Sequence, residues 1–158
     1  MNYLKRIIYC LTLSFVLLSQ QALADMVDKP KVERQFSYGE HQGELKRTDK
    51  GSTWFETLSW KGKKIIKYQR DHMRTKLYSM ELIKPKDKKG QQYLVMTWIK
   101  GAHSQTLEVW SVSDRLIKLW EETSYYAGYT TTENNNLIVT YSRDSMPYPK
   151  EISRKFPF

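Results

Sequence analysis

The sequence predicts an all-β protein, with about ten short antiparallel strands arranged in meanders as blade-like twisted sheets, a β-sandwich or an open barrel. Three observations carry this expectation. Val, Ile, Thr, Tyr and Trp dominate the patterned segments, and these residues fit a pleated, half-buried surface. Apolar residues recur with a period of two rather than 3.6. Turn residues punctuate the chain at short intervals, as they do between strands of a meander.

Residues 1–24 read as a cleaved signal peptide. Lys5 and Arg6 supply the positive start, and residues 7–18 form an apolar run too short for a comfortable membrane span. Ala22-Leu23-Ala24 is a small-x-small cleavage site, so cutting is expected after Ala24 and the protein is expected to be secreted or periplasmic. Cys10 lies deep inside the apolar run, whereas a lipid-attachment cysteine would end it. Removing the first 24 of 158 residues leaves 134 and takes away the only cysteine. Without disulfides the fold must rest on core packing. A chain of this length buries roughly two-thirds of its unfolded surface, which suits one domain. Its 24 basic and 17 acidic side chains give a net charge of +7. No later run is long and apolar enough to cross a bilayer as a helix.

Residues 25–34 are polar, contain Pro30, and read as a flexible lead-in to a single domain over residues 35–158. A short strand is expected at residues 35–38, a turn at 39–43 and a second strand at 44–48. Asp49-Lys50-Gly51-Ser52 is a turn signal. In Thr53–Trp60, Trp54, Glu56, Leu58 and Trp60 share one face, and Phe55, Thr57 and Ser59 the other. Lys61-Gly62 turns into a strand over residues 63–69, where Ile65 and Ile66 are the apolar content. Thr75–Ile83 is another strand, and residues 84–90 form an exposed basic loop.

The chain is organised around residues 91–121, within which residues 93–99 are apolar on both faces, as in a strand covered on both sides. Lys100-Gly101-Ala102 breaks that run. Strands at 107–112 and 116–120, joined by Ser113-Asp114, complete a three-stranded meander. Residues 123–132 form a strand rich in Tyr and Thr, and Glu133-Asn134-Asn135-Asn136 a turn. Leu137, Val139 and Tyr141 share a face of the next strand. Pro147 and Pro149 mark a loop, and residues 152–158 form the tail.

The chain echoes itself. Residues 93–98 (Tyr-Leu-Val-Met-Thr-Trp) resemble 137–141 (Leu-Ile-Val-Thr-Tyr), and residues 58–65 resemble 110–117. Residues 92–120 also resemble a blade of the FG-GAP and VCBS-type β-propeller repeats. The likeness lies in an apolar strand, then Gly101-Ala102-His103-Ser104, then Leu107-Glu108-Val109-Trp110, a turn and another strand. It implies blade-like sheets. Those repeats often carry an Asp-rich calcium loop. The corresponding turns here, Asp87-Lys88-Lys89-Gly90 and Glu133-Asn134-Asn135-Asn136, lack the carboxylates a hard cation needs, so calcium is not implied.

Catalysis finds little support in the residues. There is no Gly-x-Ser-x-Gly elbow, and Ser104 and His103 are neighbours that a strand would point to opposite faces. Glu56, Glu81 and Glu108 lie on strands and are best read as alternating surface charges rather than an acid–base pair. His41, His72 and His103 fall near turns. A metal-dependent hydrolase built on them is a second alternative function, but even spacing in sequence does not make ligands converge. Neither a phosphate-binding glycine loop nor a cofactor signature is present. The tail Phe156-Pro157-Phe158 ends as outer-membrane barrels do, yet Arg154 and Lys150 fall on the Phe158 face and Pro157 breaks the alternation.

Charge is more informative. Lys61, Lys63, Lys64, Lys67, Arg70, Arg74 and Lys76 cluster on two strands and their turns, followed by Lys84, Lys86, Lys88 and Lys89 in one loop. Trp54, Trp60, Tyr68 and Tyr78 lie nearby. A basic surface with aromatic platforms suits an anionic polymer or a membrane surface. Single-stranded nucleic acid fits the chemistry but not the export signal. The sequence therefore predicts a non-enzymatic envelope module that binds an acidic glycan, lipid head group or acidic protein through these cations. The alternative is a protein-interaction or inhibitor module with an aromatic face at Trp98, Trp110 and Trp120.

Overall fold

The computed structural model describes residues 30–50, 53–71, 75–85, 90–125, 128–144 and 150–158, at 70 and 71 by the backbone alone. Among them the chain is all-β: eleven strands, no helix, and no sheet closed into a barrel. The first sheet contains β1 (Lys31–Tyr38), β2 (His41–Lys50), β3 (Thr53–Trp60) and β4 (Lys63–Asp71). The second contains β5 (Thr75–Ile83), β6 (Gln92–Lys100), β7 (Gln105–Val112) and β8 (Leu116–Ser124). The third contains β9 (Tyr129–Glu133), β10 (Asn136–Ser142) and β11 (Glu151–Pro157). Each sheet is an antiparallel meander in which sequence neighbours are spatial neighbours. The signal segment expected at residues 1–24 lies outside the described residues.

Two cores explain the layering. Leu45, Leu58, Trp60 and Tyr68 of the first sheet pack on Leu94, Met96, Trp98, Trp110, Val112 and Leu116 of the second. Tyr93, Val95, Leu107, Val109 and Trp120 of the second pack on Leu137, Val139, Tyr141 and Phe156 of the third. The second sheet is therefore the middle layer. Along β6, successive side chains alternate between the two cores, which is why this strand is apolar on both faces. Each such side chain stabilises the fold by about 1.5–3 kcal/mol when fully buried.

The turns follow from local chemistry. Lys61 and Gly62 both have positive φ (51° and 73°), as a two-residue primed hairpin requires. Asn134 and Asn135 repeat this at the β9–β10 turn with φ of 47° and 58°. Gly43, opposite Phe36 on β1, serves another purpose. A Cβ there would sit 2.1 Å from the Phe36 ring, which lies across the glycine and stacks on Trp60 at 5.3 Å.

Several expected boundaries move: β2 starts at His41, inside the turn expected at 39–43, and runs through Asp49 and Lys50 of the next expected turn, and the expected tail forms β11. β1 begins at Lys31, inside the expected lead-in, because its pairing with β2 runs from Lys31 opposite Arg47 to Tyr38 opposite His41. Only Phe36 and Tyr38 of β1 pack against the core, so its first half carries no apolar pattern. The strand expected over residues 123–132 is divided: Thr123 and Ser124 end β8, and Tyr129 starts β9 in a different sheet.

Both sequence echoes fall at equivalent places. β6 and β10 are each the second strand of a meander, and the β3–β4 and β7–β8 hairpins each join a third strand to a fourth. A register shift at Val109/Trp110 leaves Leu119 without a partner in β7. It sends Leu116 into the first core and Trp120 into the second.

Candidate functional site

Alternation on the first sheet sorts its charges. Leu45, Leu58, Trp60 and Tyr68 point to the core, so the residues between them face away from the rest of the molecule. Register brings Lys46, Thr57 and Lys67 into one row, and Thr48, Phe55 and Gln69 into the next. Lys64 lies opposite Ser59, and Lys50 opposite Thr53. The outer face thus presents Lys46, Lys50, Lys64 and Lys67 together with Phe55. The Lys67 ammonium sits 4.1 Å from the centre of the Phe55 ring and that of Lys50 5.8 Å, both within cation–π range. Among the described side chains of this face the one carboxylate is Glu44, 2.6 Å from Lys46.

The expected cations divide among several places. Lys64 and Lys67 belong to this face. Lys63 is exposed at the start of β4, and Lys84 just after β5. Lys76 is exposed on β5 and lines a cavity elsewhere. Lys61 is taken up internally: its ammonium lies 3.1 Å from Asp114, so the β3–β4 hairpin is tied to the β7–β8 turn. Arg74, Lys86, Lys88 and Lys89 lie outside the described residues, as does the side chain of Arg70.

Sequence reasoning missed Lys46, Lys50 and Phe55 as members of the site. The lysines are distant in sequence from the obvious cluster and join it only through pairing of β2 with β3. The signal for Phe55 was present, since the alternation of Thr53–Trp60 had placed it opposite the tryptophans.

The aromatic face expected at Trp98, Trp110 and Trp120 is corrected by burial. These residues are 0%, 2% and 8% exposed and fill the two cores. Tryptophan carries the largest apolar surface available, and a middle layer with two faces to fill draws it inward. Among the described residues the aromatic residues left exposed are tyrosines, with Tyr78 the most open at 64%.

Two strand carboxylates expected on a solvated face, Glu56 (2% exposed) and Glu108, are instead buried, because the face that alternation gives each of them is covered by a neighbouring layer. Glu108 is 1% exposed between the first and second sheets. Its Oε2 accepts hydrogen bonds from the Tyr68 hydroxyl at 2.7 Å and the Trp110 indole N–H at 3.0 Å. Lys118 lies 3.5 Å from Oε1 and 2.6 Å from Glu121. The carboxylate is satisfied by two hydrogen-bond donors and a nearby ammonium, and a group so engaged specifies packing.

His41 lies 3.7 Å from Asp114 and edge-on to Trp60, and His103 is exposed in the β6–β7 loop. His72 lies outside the described residues. Among the described residues, no group of three or more His, Cys, Asp or Glu side chains is placed to hold a metal ion.

No family model, curated protein or solved structure matches this chain. The chemistry of the surface is therefore the guide. A sheet face that carries four lysines, two of them against an aromatic ring, can bind anions by charge with an apolar contact beside it, and it requires no moving part.

Proposed function

We propose that this protein is a non-enzymatic binding module of the cell envelope that recognises an anionic partner. The partner is an acidic glycan, a lipid head group or an acidic protein, held on the outer face of the first sheet. One observation carries the reading: Lys46, Lys50, Lys64 and Lys67 share the outer face with Phe55, and Lys67 and Lys50 lie 4.1 and 5.8 Å from its ring. Exposed cations gather polyanions in a salt-dependent way, and an aromatic platform adds contact that salt does not screen. Placement in the envelope rests on the export signal read in residues 1–24. The three successive meanders support a blade-like arrangement of the kind the resemblance of residues 92–120 implies.

The test is retention of the purified protein on an anionic resin and on isolated envelope fractions across a salt series. Two variants run beside it. One changes Lys46, Lys50, Lys64 and Lys67 to Gln; the other changes Lys84, Lys86, Lys88 and Lys89 to Gln. The reading expects steep salt sensitivity that the first variant loses and the second retains. Loss in the second variant alone would move the site to the loop. Salt-insensitive binding would instead support a protein-interaction surface built on the exposed tyrosines.

A further inference from the structure

A cavity of about 590 Å³ opens on the opposite, inner side of the first sheet, where that sheet meets the start of β5. Its size falls within the range of small-molecule sites. The wall is built on Trp54, which is 5% exposed, with Leu77 across from it. Arg47 lies 4.1 Å over the Trp54 ring. Its Nε donates to Asp49 at 2.8 Å, and its Nη1 lies 3.8 Å from Glu33. The guanidinium is thereby fixed in place, and both carboxylates are held at the cavity with lone pairs still available. Lys31, Arg34 and Lys76 ring the mouth, all exposed. Among the described residues none of these three cations lies in an ion pair.

We propose that this cavity binds a small acidic sugar: one anionic group on a compact polyhydroxylated ring. The mouth cations attract the anion, and Arg47 presents a rigid donor edge. Glu33 and Asp49 are acceptors suited to hydroxyl donors. Leu77 supplies apolar contact for the C–H side of the ring, and Trp54 lies behind Arg47 as the floor that holds the guanidinium. A polyphosphate would meet the repulsion of Glu33 and Asp49, and an acyl chain would find too little apolar lining. The anionic group can be a carboxylate, as in a uronic acid, or a phosphate, as in a sugar phosphate. The proposal does not depend on the outer-face reading, because the two sites lie on opposite faces of one sheet and share no residue.

The test titrates the purified protein with glucuronic acid, glucose 6-phosphate and glucose, following the Trp54 indole resonance by NMR and the heat by calorimetry. At least one acid should bind saturably at about 1 mM or tighter, with glucose weaker by about tenfold or more. Whichever acid binds identifies the anionic group. The double variant Arg34→Gln, Lys76→Gln should lose about tenfold in affinity. The outer-face variant should bind the sugar as the parent does while losing envelope retention. Both substituted residues in the double variant are exposed, and the same spectra report whether the fold is intact. Failure of both acids to saturate by about 10 mM would overturn the proposal. Equal binding of glucose, or full affinity in the double variant, would do the same.

Discussion

The Tyr68 hydroxyl on β4 donates to the Glu108 carboxylate on β7 at 2.7 Å, joining the first and second sheets inside their shared core. Glu108 also holds the Trp110 N–H and sits 3.5 Å from the Lys118 ammonium. Glu108→Ala strands the Tyr68 and Trp110 donors, while Lys118 keeps Glu121, so we expect it to cost about 2–5 kcal/mol. Tyr68→Phe removes one donor and should cost about 1–3 kcal/mol. Urea unfolding reads both. A loss under about 0.5 kcal/mol for Glu108→Ala would mean that the cluster is not formed in solution.

At the far end of the same interface, Asp114 is shared by Lys61 at 3.1 Å and His41 at 3.7 Å. The Lys61 hydrogen bond and charge, and to a smaller degree His41, hold its carboxyl below the ordinary range. A carboxyl lowered on folding stabilises the fold fully above its unfolded value of about 3.9, and that contribution disappears as pH falls through the lowered value. The contribution is small because Asp114 is fully exposed. Carboxyl-carbon NMR should show the Asp114 midpoint rising in Lys61→Gln. An unmoved midpoint would show that the tie between the two hairpins is not made.

Gly43 makes room for Phe36, whose ring stacks on Trp60 nearly parallel, at an interplanar angle of 6°. A methyl group at position 43 would overlap that ring. Gly43→Ala should therefore displace Phe36 and destabilise the fold by about 1–3 kcal/mol, although alanine suits a strand backbone at least as well as glycine. In the double variant Gly43→Ala, Phe36→Ala the two costs should not add, since the second change removes the obstruction.

Trp98 is wholly buried in the first core and tilted against Tyr68 at 5.2 Å. Trp98→Ala should cost about 3–5 kcal/mol by leaving a cavity. Retention of the folded variant on an anionic surface should keep the salt dependence of the parent. A change in that dependence at unchanged stability would return Trp98 to the interface.

The fold class was legible because period-two patterning is a local property, and Thr53–Trp60 and Thr75–Ile83 begin and end where their composition suggests. The apolar run of β6 also announced a strand covered on both sides. β1 was harder to read, since an edge strand meeting the core with two residues has little pattern to show. The outer lysine face needed register: Lys46 and Lys67 are 21 positions apart and become near neighbours only through Thr57 between them. Glu108 was read as surface charge because alternation assigns a face but not what covers it.

The middle position of the second sheet bears on how the chain must be made. Synthesis delivers the meanders in order, and β6 needs both neighbours before its two faces are dry. Once Ser124 has emerged, Leu94, Met96 and Trp98 already have the first sheet to pack on. Tyr93, Val95, Leu107, Val109 and Trp120 stay wet until β10 and β11 arrive. A chain stopped at that point is a sticky intermediate with one finished core and one bare sheet. Residues 129–158 are thus the cover that closes the second core.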